Sequence, residues 1–163
     1  MPITQKISPC LWFDADAEQA AQFYTGIFKS SRIITVSRYG KAGFEVHHKP
    51  EGTAMTVLFE LEGQQFTALN GGPQFKFNES ISFQVSCKDQ QEIDYYWDRL
   101  SAGGDPKAQQ CGWLKDKFGL SWQIIPSMMG EFFTGPSSGR AMEVMLKMKK
   151  LDIAKLREAA AGK

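Results

Sequence analysis

Ile7-Ser8-Pro9-Cys10-Leu11-Trp12-Phe13 and Ile81-Ser82-Phe83-Gln84-Val85-Ser86-Cys87 carry one pattern twice, and that repetition decides the fold. Each reads as a strand that runs directly into an apolar-striped helix, the first ending near Phe28 and the second near Leu100. In the overlay Ile7 falls on Ile81, Ser8 on Ser82, Glu18 on Glu92, and aromatic Phe23 on aromatic Trp97. A strand–helix unit recurring at almost half the chain length predicts two similar modules. Two curved modules side by side enclose a cleft, and clefts are where small molecules bind.

Outward from these anchors, Ala17, Ala20, Ala21, Tyr24, Ile27 and Phe28 fall on one helical stripe, with Asp16 placed to cap it. Residues 32–37 are rich in β-branched side chains and predict a strand, whereas 39–52, with three glycines and a proline, predict a loop. Alternation over 53–61 and the run Phe66-Thr67-Ala68-Leu69-Asn70 predict two strands joined by a hairpin turn at Glu62-Gly63-Gln64-Gln65. Gly71-Gly72-Pro73 then breaks the sheet. The second helix carries Ile93, Tyr96, Trp97 and Leu100 toward the core. Short strands follow near 110–114 and 121–125. The polar, Met-rich tail is helical in composition, with Asp152 as a cap and Leu151 and Leu156 as a hydrophobic staple.

The 163 residues suffice for one domain with its own core, and they need no metal or disulfide staple. A net charge of +1 gives no electrostatic reason to expect nucleic acid or an anionic membrane as partner. Lys147, Lys149 and Lys150 form the one basic run, which reads as a solvated helix face. Cys10, Cys87 and Cys111 are odd in number and widely spaced, which argues against a disulfide framework or structural zinc. With no basic-then-apolar leader and no long apolar run, the chain reads as cytoplasmic.

Four segments carry a resemblance. Leu11-Trp12-Phe13-Asp14, the run from Phe66 to Pro73, Ile81-Ser82-Phe83-Gln84-Val85, and the run from Cys111 to Gln123 resemble the PhnB-like branch of the vicinal-oxygen-chelate superfamily. That superfamily includes glyoxalases, ring-cleaving dioxygenases and bleomycin-resistance proteins. The resemblance implies an α+β fold of two βαβββ modules forming a curved mixed sheet around a concave cavity, in a homodimer. Within a single domain of 1–163, module one would span about 5–72 and module two about 78–126, followed by a C-terminal helical tail over 127–163.

Branch members often carry the label 3-demethylubiquinone methyltransferase. A methyl donor such as S-adenosylmethionine needs a glycine-rich strand-to-helix turn. Here Gly71-Gly72-Pro73 leads into Gln-Phe-Lys-Phe instead of a helix start, so methyl transfer is the less favoured reading, and no cofactor is expected.

The resemblance also implies where a divalent metal would be held. Those positions are occupied by Pro9, Ala68 or Asn70, Ser80 and Gln123, none of them a strong ligand for a transition metal, so no metal site is expected. His47 and His48, read as neighbours in an extended segment, would face opposite sides. Trp12, Asn70, Ser80, Ser82, Gln84, Trp113 and Gln123 are the candidate ligand-binding residues: neutral donors and acceptors beside indoles, suited to a small organic molecule. Gln123 is expected to point into the cavity and to hydrogen-bond a neighbouring polar group, water or ligand. The expected function is therefore small-molecule binding in a metal-free cavity. The alternatives are a metal-dependent lyase, isomerase or dioxygenase, and an assembly protein working through its tail.

Overall fold

The computed structural model describes residues 5–162, and the chain divides into two compact units, 1–77 and 78–163. The first unit runs β1 (Cys10–Phe13), α1 (Ala17–Ile27), β2 (Ser31–Arg38), the single turn α2 (Phe44–His47), β3 (Ala54–Leu61) and β4 (Gln64–Asn70). Its sheet has the order β1-β4-β3-β2, with β1 parallel to β4 and the other neighbours antiparallel. Glu62 and Gly63, both at positive φ, make the two-residue turn between β3 and β4. This is the mirror-image turn whose twist suits a hairpin. The stripe of α1 is buried as predicted, and the Tyr24 and Phe59 rings stack at 6.2 Å.

The capping of α1 departs from expectation. Asp16 is the N-cap residue but its side chain makes no capping bond. Asn70, at the end of β4, supplies the acceptor instead: its Oδ1 takes the Ala17 N–H at 2.8 Å. Position N-terminal to a helix favours Asp, yet a side chain arriving from the sheet can satisfy the same orphan donor.

The second unit repeats the plan in shortened form: β5 (Ser82–Cys87), α3 (Gln90–Leu100), a 3-10 turn at Pro106–Ala108, β6 (Trp113–Lys115) and β7 (Ser121–Pro126). Its order, β5-β7-β6, again sets the first strand parallel to the last. The strand equivalent to β2 shrinks to one bridge between Gln110 and Trp113. Cys111 and Gly112, at φ 52° and 84°, turn the chain between them, replacing the 39–53 loop of the first unit. Asp89 caps α3 by accepting from Glu92 N–H at 2.9 Å.

The tail belongs to this unit. After the single turn α4 (Met129–Phe132) come α5 (Ser138–Met145) and α6 (Ile153–Ala160). Asp152 caps α6 through the Lys155 N–H, and Leu151 and Leu156 are fully buried, as the staple requires. The tail is bolted to its own unit at two points. Gln90 donates to the Leu151 carbonyl and accepts from Ile153 N–H, while Cys111 and Gly112 donate their N–H groups to the carbonyls of Met148 and Lys149.

Cys87, at the end of β5, is fully buried, and that burial, aided by Glu92 and Asp89, pushes its thiol pKa up to about 12. Since the thiolate is the reactive form, Cys87 should stay silent to an aromatic disulfide reagent at pH 8 and react only after unfolding in guanidinium. Mass mapping of labelled cysteines checks this; native labelling of Cys87 at the rate of a free thiol would contradict it.

Candidate functional site

The side chains of the second sheet divide cleanly between its two faces. Val85, Cys87, Leu114, Trp122 and Ile124 are buried on one face, and α3, whose Ile93, Trp97 and Leu100 are also buried, packs against all three strands. The other face carries polar groups together with Trp113 and Ile125, and the strand register arranges those of 82–84, 113–115 and 121–123 in two rows. Ser82 pairs with Ser121, and Ser121 with Lys115; Gln84 pairs with Gln123, and Gln123 with Trp113. Directly opposed residues on neighbouring strands point to the same side. The rows are therefore hydroxyl–hydroxyl–ammonium and amide–amide–indole.

Four of the seven candidate residues, Ser82, Gln84, Trp113 and Gln123, thus meet on one face. Gln123 donates from Nε2 to Ser82 Oγ at 2.8 Å, and among the described residues its Oε1 has no partner. Gln84 is exposed, while Trp113 and Gln123 are half-buried. The remaining three lie elsewhere. Ser80 precedes β5, which begins only at Ser82, and its hydroxyl bonds Asn78 instead of joining the row. Asn70 is 1% exposed with both ends of its amide occupied, Oδ1 by Ala17 and Nδ2 by the Ala54 carbonyl at 2.9 Å. Trp12 lies in the first unit. Its indole N–H donates to the Gly72 carbonyl at 2.8 Å and its ring meets Phe75 edge-on. A Cβ on Gly71 would sit 2.3 Å from that ring, so Gly71 makes room for an indole.

Sequence reading passed over two members of this face and the edge beside it. Ser121 is 1% exposed and its Oγ has no hydrogen-bond partner among the described residues; an orphaned buried hydroxyl costs about 1–3 kcal/mol. Lys115 Nζ lies 2.5 Å from the Glu79 carboxylate, and that bond holds the Glu79 pKa below its ordinary value. Beside them opens a cleft of about 400 Å³ lined by Glu79, Ala108, Gln110, Cys111 and Trp113. The alternation Trp113-Leu114-Lys115 against Ser121-Trp122-Gln123 held the signal, since it puts Lys115 and Ser121 on the face of Trp113 and Gln123.

The donor chemistry does not fit the superfamily's metal. Pro9 has no side-chain donor, the Asn70 amide is consumed within its unit, Ser80 lies outside its strand, and Gln123 is a neutral amide bonded to Ser82. Among the described residues no three His, Cys, Asp or Glu side chains cluster as a metal would need. The histidines are not in an extended segment: His47 closes the turn of α2 and His48 follows it at φ 52°. His47 accepts from Lys49 N–H at Nδ1, packs on Tyr39 with ring centres 4.4 Å apart, and has Nε2 3.2 Å from the Ala42 carbonyl. Both histidines lie in the first unit. The second unit thus has no histidine to activate Cys111, whose thiol donates to the Met145 carbonyl at 3.5 Å. Neither strand-to-helix connection, Asp14-Ala15-Asp16 or Lys88-Asp89, contains a glycine to cradle a nucleotide-like cofactor.

Comparison with known proteins agrees with this architecture. A PhnB protein from Bacillus cereus, described as a putative 3-demethylubiquinone-9 3-methyltransferase, is 35% identical, with 75% of this chain and 99% of that chain covered and a TM-score of 0.64. A protein from Pseudomonas aeruginosa (16% identity, 76% and 98% covered, TM-score 0.53) shares the fold alone. So does the fosfomycin resistance protein FosX from Listeria monocytogenes, in a mutant form complexed with Mn(II) (20% identity, 76% and 92% covered, TM-score 0.50). No curated protein matches the sequence. The family described as 3-demethylubiquinone-9 3-methyltransferase matches residues 5–125. Together with the paired modules and the solved relatives, that match makes the chain a member of this PhnB-like family within the glyoxalase-like, vicinal-oxygen-chelate superfamily.

Proposed function

We propose that this protein binds a small organic molecule on the polar face of its second sheet and does so without a metal. The observation that carries the reading is the row Gln84–Gln123–Trp113, in which two amides and an indole stand side by side next to an open cleft. Amides fix the orientation of a ligand, and an indole supplies flat apolar area. No acid, base or activated nucleophile of the second unit joins the row, which favours binding over catalysis. A thermal-shift screen of metabolite-sized compounds, repeated on Trp113→Ala and Gln123→Leu, tests it. A ligand at a hundred times its Kd stabilises by about 2.7 kcal/mol, and Trp113→Ala should weaken any hit at least about tenfold. Hits indifferent to both substitutions would overturn the site.

The metal-free clause has its own test. Gln123→Glu places a carboxylate where metal-using relatives carry one, yet Pro9 and Ser80 still offer no strong ligand. Titration with zinc or nickel should therefore show no tight binding to the variant. Submicromolar affinity, or stoichiometric Zn, Ni, Fe or Mn in the purified protein, would favour the metal-dependent alternative.

Two further elements of the reading concern the setting. We infer a homodimer, supported by the superfamily resemblance and by the repeat-related residues Ile7 and Ile81, which are 88% and 68% exposed beside the edge strands β1 and β5. A monomeric mass by light scattering at micromolar concentration would refute it. Three free cysteines support a reducing, cytoplasmic setting, and no described helix is long and apolar enough to cross a membrane.

A further inference from the structure

We propose that the molecule bound on this face is an organic carboxylate, and that its carboxyl group takes the place of Glu79 on Lys115. The inference rests on the reading of the face as a binding surface and adds the chemical class of the ligand. Three observations carry it.

First, Lys115 already holds a carboxylate, at 2.5 Å, on the face that carries Trp113 and Gln123. That carboxylate comes from a side chain 62% exposed, on a segment outside every strand and helix. The Glu79 end of the pair is open to water, so it can exchange with a carboxylate arriving from solution, while Lys115 itself is three-quarters covered. Second, Ser121 stands between Ser82 and Lys115 in the same row, with its hydroxyl buried and, among the described residues, unpartnered. A hydroxyl proton beside an ammonium group suits an acceptor-only ligand group; an ionised carboxylate is such a group, with room for several donors. Third, Glu79 and Trp113 line one and the same cleft of about 400 Å³. A carboxyl group on Lys115 therefore leaves the rest of the ligand within reach of the indole. A cationic ligand drawing Glu79 away would leave Lys115 without a counter-charge, and a neutral one would replace a charged acceptor with a weaker one; an ionised carboxylate replaces what it displaces.

The test uses phenylacetate and its uncharged isostere phenylacetamide, titrated into the full chain at pH 7 and followed as the fluorescence difference between the protein and its Trp113→Phe variant. Phenylacetate should bind about tenfold tighter than phenylacetamide, as expected for hydrogen bonds to a charged group. Glu79→Gln, which removes the resident competitor, should tighten phenylacetate severalfold and leave phenylacetamide unchanged. Lys115→Met should abolish the preference, and Lys115→Arg should retain most of it. Equal binding of the two probes, or a preference that survives Lys115→Met, overturns the carboxylate assignment while leaving the face as a binding surface. Failure of both probes to bind the protein and Glu79→Gln at millimolar concentration also overturns it. The face itself fails separately, if compounds from the thermal-shift screen bind without sensing Trp113.

Discussion

Replacing Asp116 with alanine should destabilise the protein by about 3 kcal/mol or more, the largest loss expected from any single polar side chain. The Asp116 carboxylate is 2% exposed and organises the turn between β6 and β7. Its Oδ1 accepts from the N–H groups of Phe118 and Leu120 at 2.8 and 3.1 Å, and its Oδ2 accepts from the Trp122 indole N–H at 2.9 Å. The bonds to Leu120 and Trp122 are buried, so truncation strands two donors away from water. Asn at the same position separates geometry from chemistry. An amide has one acceptor end, so it must turn its NH2 toward either the backbone donors or the indole, and Asp116→Asn should still cost about 1–3 kcal/mol. Denaturant melts with unchanged m-values measure both. An Asn variant as stable as the parent would show that the second acceptor oxygen is dispensable.

Asn70→Ala should cost about 2–3 kcal/mol, through two losses that add because they fall on opposite ends of one amide. Without Oδ1 the Ala17 N–H, at the fully buried start of α1, has no acceptor; without Nδ2 the Ala54 carbonyl loses its donor. Removing Asp16 from the N-cap position should by contrast be nearly silent, because its side chain caps nothing. Thermal melts of Asn70→Ala and Asp16→Ala distinguish the two, and the reverse order of effects would restore Asp16 as the cap.

Both substitutions bear on what a sequence can disclose. Asp16 was the legible cap, since a local motif rewards an Asp just ahead of a helical stripe. Asn70 was illegible as a cap because it reaches α1 from a strand 53 positions further along the chain. The strand–helix repeat was plain because its signals are local: alternation in Ile81–Cys87, a 3.6-residue stripe from Ile93 to Leu100, a cap-and-staple at Leu151–Leu156. The loss of the β2 counterpart was visible only as a shorter interval between α3 and Trp113. The candidate site was half legible for the same reason. Parity alone assigns Ser82, Gln84, Trp113 and Gln123 to a face, but which strands lie side by side is set by tertiary pairing. Alternation could place Ser121 and Lys115 on that face, but only the register sets them side by side in one row with Ser82. Ser80 fell away because parity says nothing about where a strand begins.

The bolting of the tail to the Cys111-Gly112 turn has a consequence for the order in which the protein matures. Translation delivers the N-terminal parts first, at about 5–20 residues per second, and units begin to fold as they emerge. Strands β5, β6 and β7 are all made before Met145, Met148 and Lys149, whose carbonyls receive the Cys111 thiol and the N–H groups of Cys111 and Gly112. Cys111 is also a wall of the cleft. A nascent chain halted near Pro126 would therefore have the sheet but an unfinished rim, and the proposed binding face would be complete only once the last helices leave the ribosome.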